Sequence, residues 1–369
     1  MCKSPLHPFL HRLPKCEHHI HIEGSLQPTT LFALAARNNI SLPSDDPAFT
    51  SPTTLLARYS RFTNLNDFLH YYYLGMSCLI TQSDYYDLCY TYLTRAHADG
   101  VVHAEISFDP QAHVSRGVSF TTVLTGLREA CVAAEKAFGI TSALICCFLR
   151  HLPVSDAETL FHSTDVQSAF RTGVTPAGEE TETGDILGIG LDSSEAGYPA
   201  SLFSQLWQQA QALGLRTTMH AGEEGAGAES TDNIETAVFS IGCSRIDHGR
   251  LITRSPSLLT RVAERGTLLT LCPLSNVALR GVSSVSELPI RKFLEKGIKF
   301  SINSDDPAYF GGFVLDNYCA VAEAFPEMGV GEWVRVCEGA IEGSWCGRER
   351  KEEMRGLLRS VEREFEGLV

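Results

Sequence analysis

The chain has 369 residues, 44% of them hydrophobic and 20% charged, with a formal net charge of -14. That composition is ordinary for a globular protein with a sizeable core, and the length suits either two modest domains or one large α/β barrel. The acidic balance argues against nucleic acid or an anionic membrane as main partner, since both need a basic footprint.

No apolar run reaches the roughly 18–20 residues of a membrane helix. The twelve cysteines form no CxxC pair and follow no charged-then-apolar leader. They are expected as reduced thiols of a cytoplasmic protein, with a nuclear pool as a secondary alternative. A small neutral molecule is the partner that fits; oligomeric state leaves no mark in the sequence.

In chain order, β-branched-rich apolar runs at 15–22, 101–108, 142–148, 186–191, 216–220, 245–248, 267–271 and 299–303 predict strands. Patterns at helical spacing alternate with them at 84–99, 120–138, 199–213, 233–241, 257–265 and 290–295. Eight βα units predict a (β/α)8 TIM barrel. A doubly wound sheet is the alternative, but it gives no reason for polar residues to cluster at so many strand ends.

Three segments fall outside the alternation. Residues 29–80, with Tyr71, Tyr72 and Tyr73 beside Phe68, Leu69 and Leu74, predict a helical insertion after strand one, either a lid over the barrel mouth or packing alone. The Gly-, Thr- and Glu-rich stretch 173–185 predicts a solvated loop without chemistry. Residues 348–365 carry Met354, Leu357, Leu358, Val361 and Phe365 at helical spacing and predict a C-terminal amphipathic helix. There is no internal repeat, so residues 1–369 are expected to form a single barrel domain.

Chemistry concentrates at the strand ends. His19-Ile20-His21 places two imidazoles on one face of an extended strand, where they can share a metal ion. Alone, H-x-H more often marks surface or core histidines than a metal site. Strand five, however, runs into His220-Ala221-Gly222-Glu223-Glu224, strand six ends in Asp247-His248-Gly249, and strand eight ends in Asn303-Ser304-Asp305-Asp306-Pro307. A barrel gathers such ends around one mouth. Two imidazoles from strand one, a third from strand five and a carboxylate from strand eight make an N3O set suited to Zn²⁺ with a position open for water. His18 faces the other way and is expected as a buried structural histidine. Gln111, His113, Arg150 and His151 lie toward the mouth.

These motifs carry a resemblance. Pro14-Lys15-Cys16-Glu17 with His19-Ile20-His21-Ile22-Glu23-Gly24, then His220-Ala221-Gly222-Glu223, Asp247-His248-Gly249, Cys272-Pro273-Leu274-Ser275-Asn276 and Ser304-Asp305-Asp306-Pro307 resemble, in order and spacing, the adenosine/adenine deaminase branch of the amidohydrolase superfamily. Phe108-Asp109-Pro110-Gln111-Ala112-His113, Gly190-Leu191-Asp192-Ser193-Ser194-Glu195 and residues 301–310 are most similar to its fungal and bacterial adenine deaminase group. The resemblance implies His19, His21, His220 and Asp305 as metal ligands. Leu191-Asp192-Ser193 stands where two-metal relatives carry a bridging lysine, which implies one zinc per chain.

Hydrolytic deamination at carbon 6 of a purine needs hydroxide near neutral pH, and zinc lowers the pKa of bound water from about 15.7 toward about 7. By the resemblance, Glu223 protonates ring nitrogen 1, which requires a dry pocket that keeps it protonated. His248 removes the water proton or stabilises the hydroxide, Asp306 binds nitrogen 7, and the Ser193 backbone binds nitrogen 3. A loop serine without contact is the alternative for Ser193. Nucleoside-acting members usually carry aspartate at the position of Glu23, and its extra methylene reaches into ribose space. Free adenine is therefore the expected substrate, in purine salvage, with adenosine or an N6-substituted adenine as alternative. Another one-metal hydrolase of the same barrel, or a non-catalytic relative, retains the ligands but gives Glu223 and Asp306 no joint task.

Overall fold

Parallel strands buried on both faces set the frame of the molecule, here a computed structural model that describes residues 2–170, 185–225 and 229–367. Its strands are β1 (Lys15–His21), β2 (Val101–Phe108), β3 (Thr141–Leu149), β4 (Ile186–Asp192), β5 (Arg216–Thr217), β6 (His220–Ala221), β7 (Arg245–His248), β8 (Leu268–Leu271) and β9 (Phe300–Ile302). They pair in two ladders, β1-β2-β3-β4-β5 and β6-β7-β8-β9. Such strands read as nearly continuous apolar runs because helices cover one face and the barrel core fills the other.

Hydrogen bonds join the ladders into a ring. Thr218 N–H donates to Ile189 O at 3.0 Å and Asp247 N–H to Met219 O at 2.8 Å, so β5 and β6 are two halves of the one strand expected at 216–220. The break has a local cause: Trp207 Nε1–H donates to the Thr218 carbonyl at 3.2 Å, and Thr218 Oγ1 donates to Asp247 Oδ2 at 2.7 Å. At the other seam, His21 N–H donates to Asp305 O and Asp305 N–H to His19 O, both at 3.0 Å. The eight expected strand positions thus form the (β/α)8 barrel.

The helix expected at 120–138 is Phe120–Phe138. Ser119 Oγ accepts Thr122 N–H at 3.1 Å to start it, and Gly139, at φ 71°, ends it in the left-handed region. Gln82–Ala98, Pro256–Arg265, Ile290–Lys296 and Arg348–Glu364 also fall where helices were expected. The segment 199–213 departs: Asn233 Oδ1 takes the Ala200 N–H at 3.0 Å, and a 3-10 turn, Ala200–Phe203, precedes the helix Ser204–Ala212. The segment 233–241 widens into a π-helical turn, Thr236–Ile241, closed by Gly242 at φ 90°. Two long helices near the C-terminus were not expected, nor were several short ones such as Val154–Phe161 and Pro273–Ala278. Val314–Ala324 and Val330–Gly343 pack on β9, and the second also on β1 and the C-terminal helix.

The insertion after β1 comprises Pro28–Arg37, a 3-10 turn Pro47–Thr50, Pro52–Tyr59 and Leu65–Met76. Its last helix lies over the mouth, with the Phe68 ring tilted against Phe310 at 4.8 Å and edge-on to Tyr309 at 5.3 Å. Gly75 permits this approach, since a Cβ there would overlap the Tyr309 hydroxyl. The stretch 173–185, apart from Asp185, lies outside the described residues. No helix among the described residues is long and apolar enough to cross a membrane.

Candidate active site

β1 delivers the histidine pair. Its register against β2 shifts between Glu17 and Ile20, one residue more than the partner strand spends, and such bulges aim side chains beside functional sites. His19 and His21 face the barrel interior with Nε2 atoms 3.2 Å apart. His18 points away, its Nε2 at 2.8 Å from Ser344 Oγ and Nδ1 at 3.1 Å from Ser301 Oγ. Burial lowers its pKa to about 3, so it is neutral.

Asp305 Oδ1 is 3.3 Å from His19 Nε2 and 3.5 Å from His21 Nε2. The His220 ring, from β6, lies 4.7 Å from that of His19 and 5.2 Å from that of His21. The four expected ligands therefore meet, and His248 stands beside them, its Nε2 3.9 Å from Asp305 Oδ2. Among the described residues, His19, His220, His248 and Asp305 offer ligand atoms all within 4.8 Å of one another.

The outer nitrogens show that this cluster suits a metal ion. His19 Nδ1 bonds Thr270 Oγ1 at 2.8 Å, His21 Nδ1 lies 3.2 Å from Asp192 Oδ2, and His220 Nδ1 lies 3.0 Å from Leu191 O and 3.2 Å from Asp192 Oδ1. Each ring thus has an acceptor on its far side and turns Nε2 inward, as ligating histidines do. Thr270 passes the pull on, donating to Asp247 Oδ1 at 3.1 Å.

Backbone strain gathers here. Asp305, His248 and Ser193 have φ of 63°, 62° and 77°. Left-handed conformations of non-glycine residues are uncommon and cluster at functional sites. They swing these side chains or peptides from the strand ends into the mouth.

Glu223 sits in the turn after β6, with Gly222 at φ 74°. Glu195 holds that turn: its carboxylate accepts N–H groups from Gly222 at 3.0 Å, Glu223 at 2.8 Å and Glu224 at 3.2 Å. Glu223 Oε2 lies 3.5 Å from His248 Nε2. Burial, reinforced by Asp305, pushes the Glu223 carboxyl up to about 8. Burial and Asp305 likewise hold Asp306 well above the usual carboxylate range, and its Oδ1 is buried without a partner. His248 is driven the other way, by burial and then His19, and is neutral.

The remaining expected residues divide. Ser193 lines the cavity, its Oγ 2.8 Å from His151 Nδ1. Glu23 does not line it. β1 ends at His21, and Glu23 lies in the 3-10 turn Ile22–Ser25 rather than on the strand face of the histidines. The cause is capture of its Oε1, which accepts His113 Nε2 at 2.8 Å and Asp109 N–H at 3.1 Å. Gln111 caps Leu149 N–H at 2.8 Å, and Arg150 Nη1 donates to His220 O at 2.8 Å. Sequence reasoning missed Asp192, Glu195, Thr270 and the Asp109–Tyr72 pair. The polar runs Asp192-Ser193-Ser194-Glu195 and Asp109-Pro110-Gln111, both at strand ends, were the available signal.

These side chains enclose a cavity under the last insertion helix, lined by His21, Asp305, Asp306, Glu223 and His248 below and by Leu65, Phe68, Leu69, Tyr72 and Tyr73 above. The adenosine deaminase family model matches residues 14–361. The chain belongs to the adenosine deaminase family. It is a hydrolase acting on carbon–nitrogen bonds. An adenine deaminase of Aspergillus fumigatus is 49% identical over 356 residues, 96% of each chain. One of Schizosaccharomyces pombe is 46% identical, covering 99% of this chain and 95% of its own. The crystal structure of an adenine deaminase from Arthrobacter aurescens superposes with a TM-score of 0.84 at 38% identity, covering 94% of this chain and 98% of that one. An amidohydrolase from Burkholderia ambifaria with bound Zn does so with a TM-score of 0.82 at 26% identity, covering 97% and 93%.

Proposed function

We propose that this family member hydrolyses adenine to hypoxanthine and ammonia, with one zinc ion held by His19, His21, His220 and Asp305. The observation that carries the reading is a pair of buried carboxyls, Glu223 and Asp306, that line the cavity of the metal cluster and that burial beside Asp305 pushes toward the protonated form. A protonated acid beside each of two ring nitrogens suits a purine; a scissile carbonyl has no use for the second. The adenine deaminase names of relatives 44–49% identical support the substrate.

When bound, zinc supplies an acidified water at neutral pH. Neutral His248 accepts that water's proton as its oxygen adds to carbon 6. Glu223 gives its proton to nitrogen 1, so that charge never accumulates on the ring. Asp306 donates to nitrogen 7 and fixes the ring plane, and the Ser193 peptide meets nitrogen 3. Collapse at carbon 6 expels ammonia, the amine leaving with the proton held by His248 while the hydroxyl proton on carbon 6 returns to Glu223. Leu65, Phe68, Leu69, Tyr72 and Tyr73 of the helix Leu65–Met76 roof the cavity, and this helix is the lid that moves for substrate to enter.

The test is the absorbance change on converting adenine to hypoxanthine, measured beside adenosine to inosine. Activity on adenine that is lost to a chelator and restored by zinc is expected; a larger kcat/KM for adenosine overturns the substrate.

A further inference from the structure

A second set of ligand atoms stands apart from the mouth. The helix His7–Arg12 leads into the start of β1, so it lies at the end of the barrel opposite the strand ends that carry the chemistry. Val314–Ala324 packs against it. The residues before the first helix are pinned to the second: Lys3 N–H donates to Glu323 Oε1 at 2.6 Å, and His7 N–H donates to Ser4 O at 3.1 Å to close the turn between them. Glu323 and Cys319 are four residues apart and share one helix face. The pin at Glu323 thus holds Cys2 beside Cys319. Two thiols and an imidazole come together, with Cys319 Sγ 3.5 Å from His7 Nδ1 and the ligand atoms of Cys2, His7 and Cys319 all within 4.8 Å of one another. Cys319 is buried, while Cys2 and His7 are half-buried.

Zinc binds thiolate at about 2.3 Å and imidazole at about 2.0–2.1 Å, so a tetrahedron around it has a sulfur–nitrogen edge of about 3.5 Å. The Cys319–His7 separation equals that edge. Two sulfurs with one imidazole select a thiophilic cation over magnesium or calcium. Burial and then Cys2 push the Cys319 thiol up, with Asp316 and Glu323 adding to it. The same two carboxylates attract a cation, which on binding displaces the thiol protons. A surface groove lined by Lys3, Ser4, Leu6, Ala322 and Glu323, neighbours of all three ligands, gives the cation its way in. We propose that Cys2, His7 and Cys319 form a second metal site, separate from the catalytic one, that takes zinc or another thiophilic divalent cation and clasps the N-terminal segment to Val314–Ala324. Two S–H bonds give up their protons to solvent, two metal–sulfur bonds form, and one coordination position is left to water. With three protein ligands, two of them half-exposed, the ion exchanges, and chains washed free of loose metal keep the catalytic zinc alone.

The test titrates Cd²⁺ into the full-length, reduced enzyme already loaded with its catalytic zinc. The catalytic ligands are three imidazoles and a carboxylate, so an ultraviolet thiolate-to-cadmium absorption band reports the proposed site and not the mouth. Wild type is expected to develop that band with one equivalent, to release about two protons per ion near neutral pH, read with an indicator dye, and to melt at a higher temperature. Cys2→Ser and His7→Gln, at half-buried positions where folding is secure, are each expected to weaken Cd²⁺ binding by at least about 10–100-fold, the loss that even an outer partner of a ligand brings. Both are expected to lose the rise in melting temperature and to retain the same content of catalytic zinc, read by atomic emission. No sulfur band in wild type, or a band of unchanged affinity in either variant, overturns the site. Uptake with the band but without a change in melting temperature overturns the clasp.

Discussion

The Asp192 carboxylate lies 3.2 Å from His21 Nδ1, and its other oxygen lies at the same distance from His220 Nδ1. One residue at the end of β4 therefore orients ligands from β1 and β6, which otherwise share no hydrogen bond. Burial alone would raise the Asp192 carboxyl, but the two imidazoles more than reverse this and keep it ionised. Outer partners of this kind contribute about 10–100-fold to metal affinity. Asp192→Asn, which keeps the shape and removes the charge, is expected to weaken zinc binding by that factor, measured by competition with a chromogenic chelator. Unchanged affinity refutes the clamp.

Glu223→Gln separates proton donation from metal binding. The amide preserves volume and has no proton to give, so turnover is expected to fall by about 10²–10⁴-fold, the usual range for a positioned acid. Zinc content, read by atomic emission, is expected to stay at one per chain. Near wild-type kcat removes Glu223 from the mechanism.

Gly24 sits against Asp306. A Cβ there would come within 2.7 Å of Asp306 Cα and closer still to the carboxyl, so backbone has to move. Overpacking of this kind costs about 1–3 kcal/mol, and the displaced residue is the one assigned to nitrogen 7. Gly24→Ala is expected to lower kcat/KM at least tenfold while the protein stays folded by circular dichroism. Activity within twofold of wild type shows that Asp306 need not hold its position.

How much of this was legible in the chain depends on the range of each contact. His19, His21, His220 and Asp305 could be read because every barrel strand end converges on the mouth, whatever the intervening loops do. Phe120–Phe138 could be read because Ser119 and Gly139 punctuate it locally. Glu23 could not, since the capture that turns it off the strand comes from His113 and Asp109, on another βα unit. Glu195 was equally silent: its role is to gather three N–H groups of a turn that follows the next strand position, and only the closed barrel brings them together. Val330–Gly343 was legible and overlooked: Trp333, Val336, Cys337, Ala340 and Ile341 recur at helical spacing and form the stripe that packs on β1, β9 and the C-terminal helix.

Lys15, at the start of β1, tests the fold apart from the chemistry. Its side chain is buried, with Nζ donating to Leu13 O at 3.1 Å and His11 O at 3.4 Å and lying 5.4 Å from the Tyr318 ring centre. Burial lowers its pKa from 10.5 to about 8. Between those values the unfolded chain holds a proton that the folded one has released, so this group makes stability rise with pH across that window. Below about pH 8 the folded protein carries the whole cost of a charged buried amine, about 3 kcal/mol at 1.36 kcal/mol per pH unit. Lys15→Met abolishes that cost and leaves two carbonyls without their donor, a loss of about 1 kcal/mol each that does not vary with pH. The unfolding free energy of the variant relative to wild type, from denaturant titration, is therefore expected to be about 3 kcal/mol more favourable at pH 7 than at pH 10.5. Buried groups out of reach of Lys15 titrate identically in both proteins and cancel; the Cys337 thiol, which burial pushes up to about 11 and Lys15 pulls down, does not, so both proteins carry Cys337→Ala. A relative stability that is the same at both pH values means that the amine stays charged in the folded state.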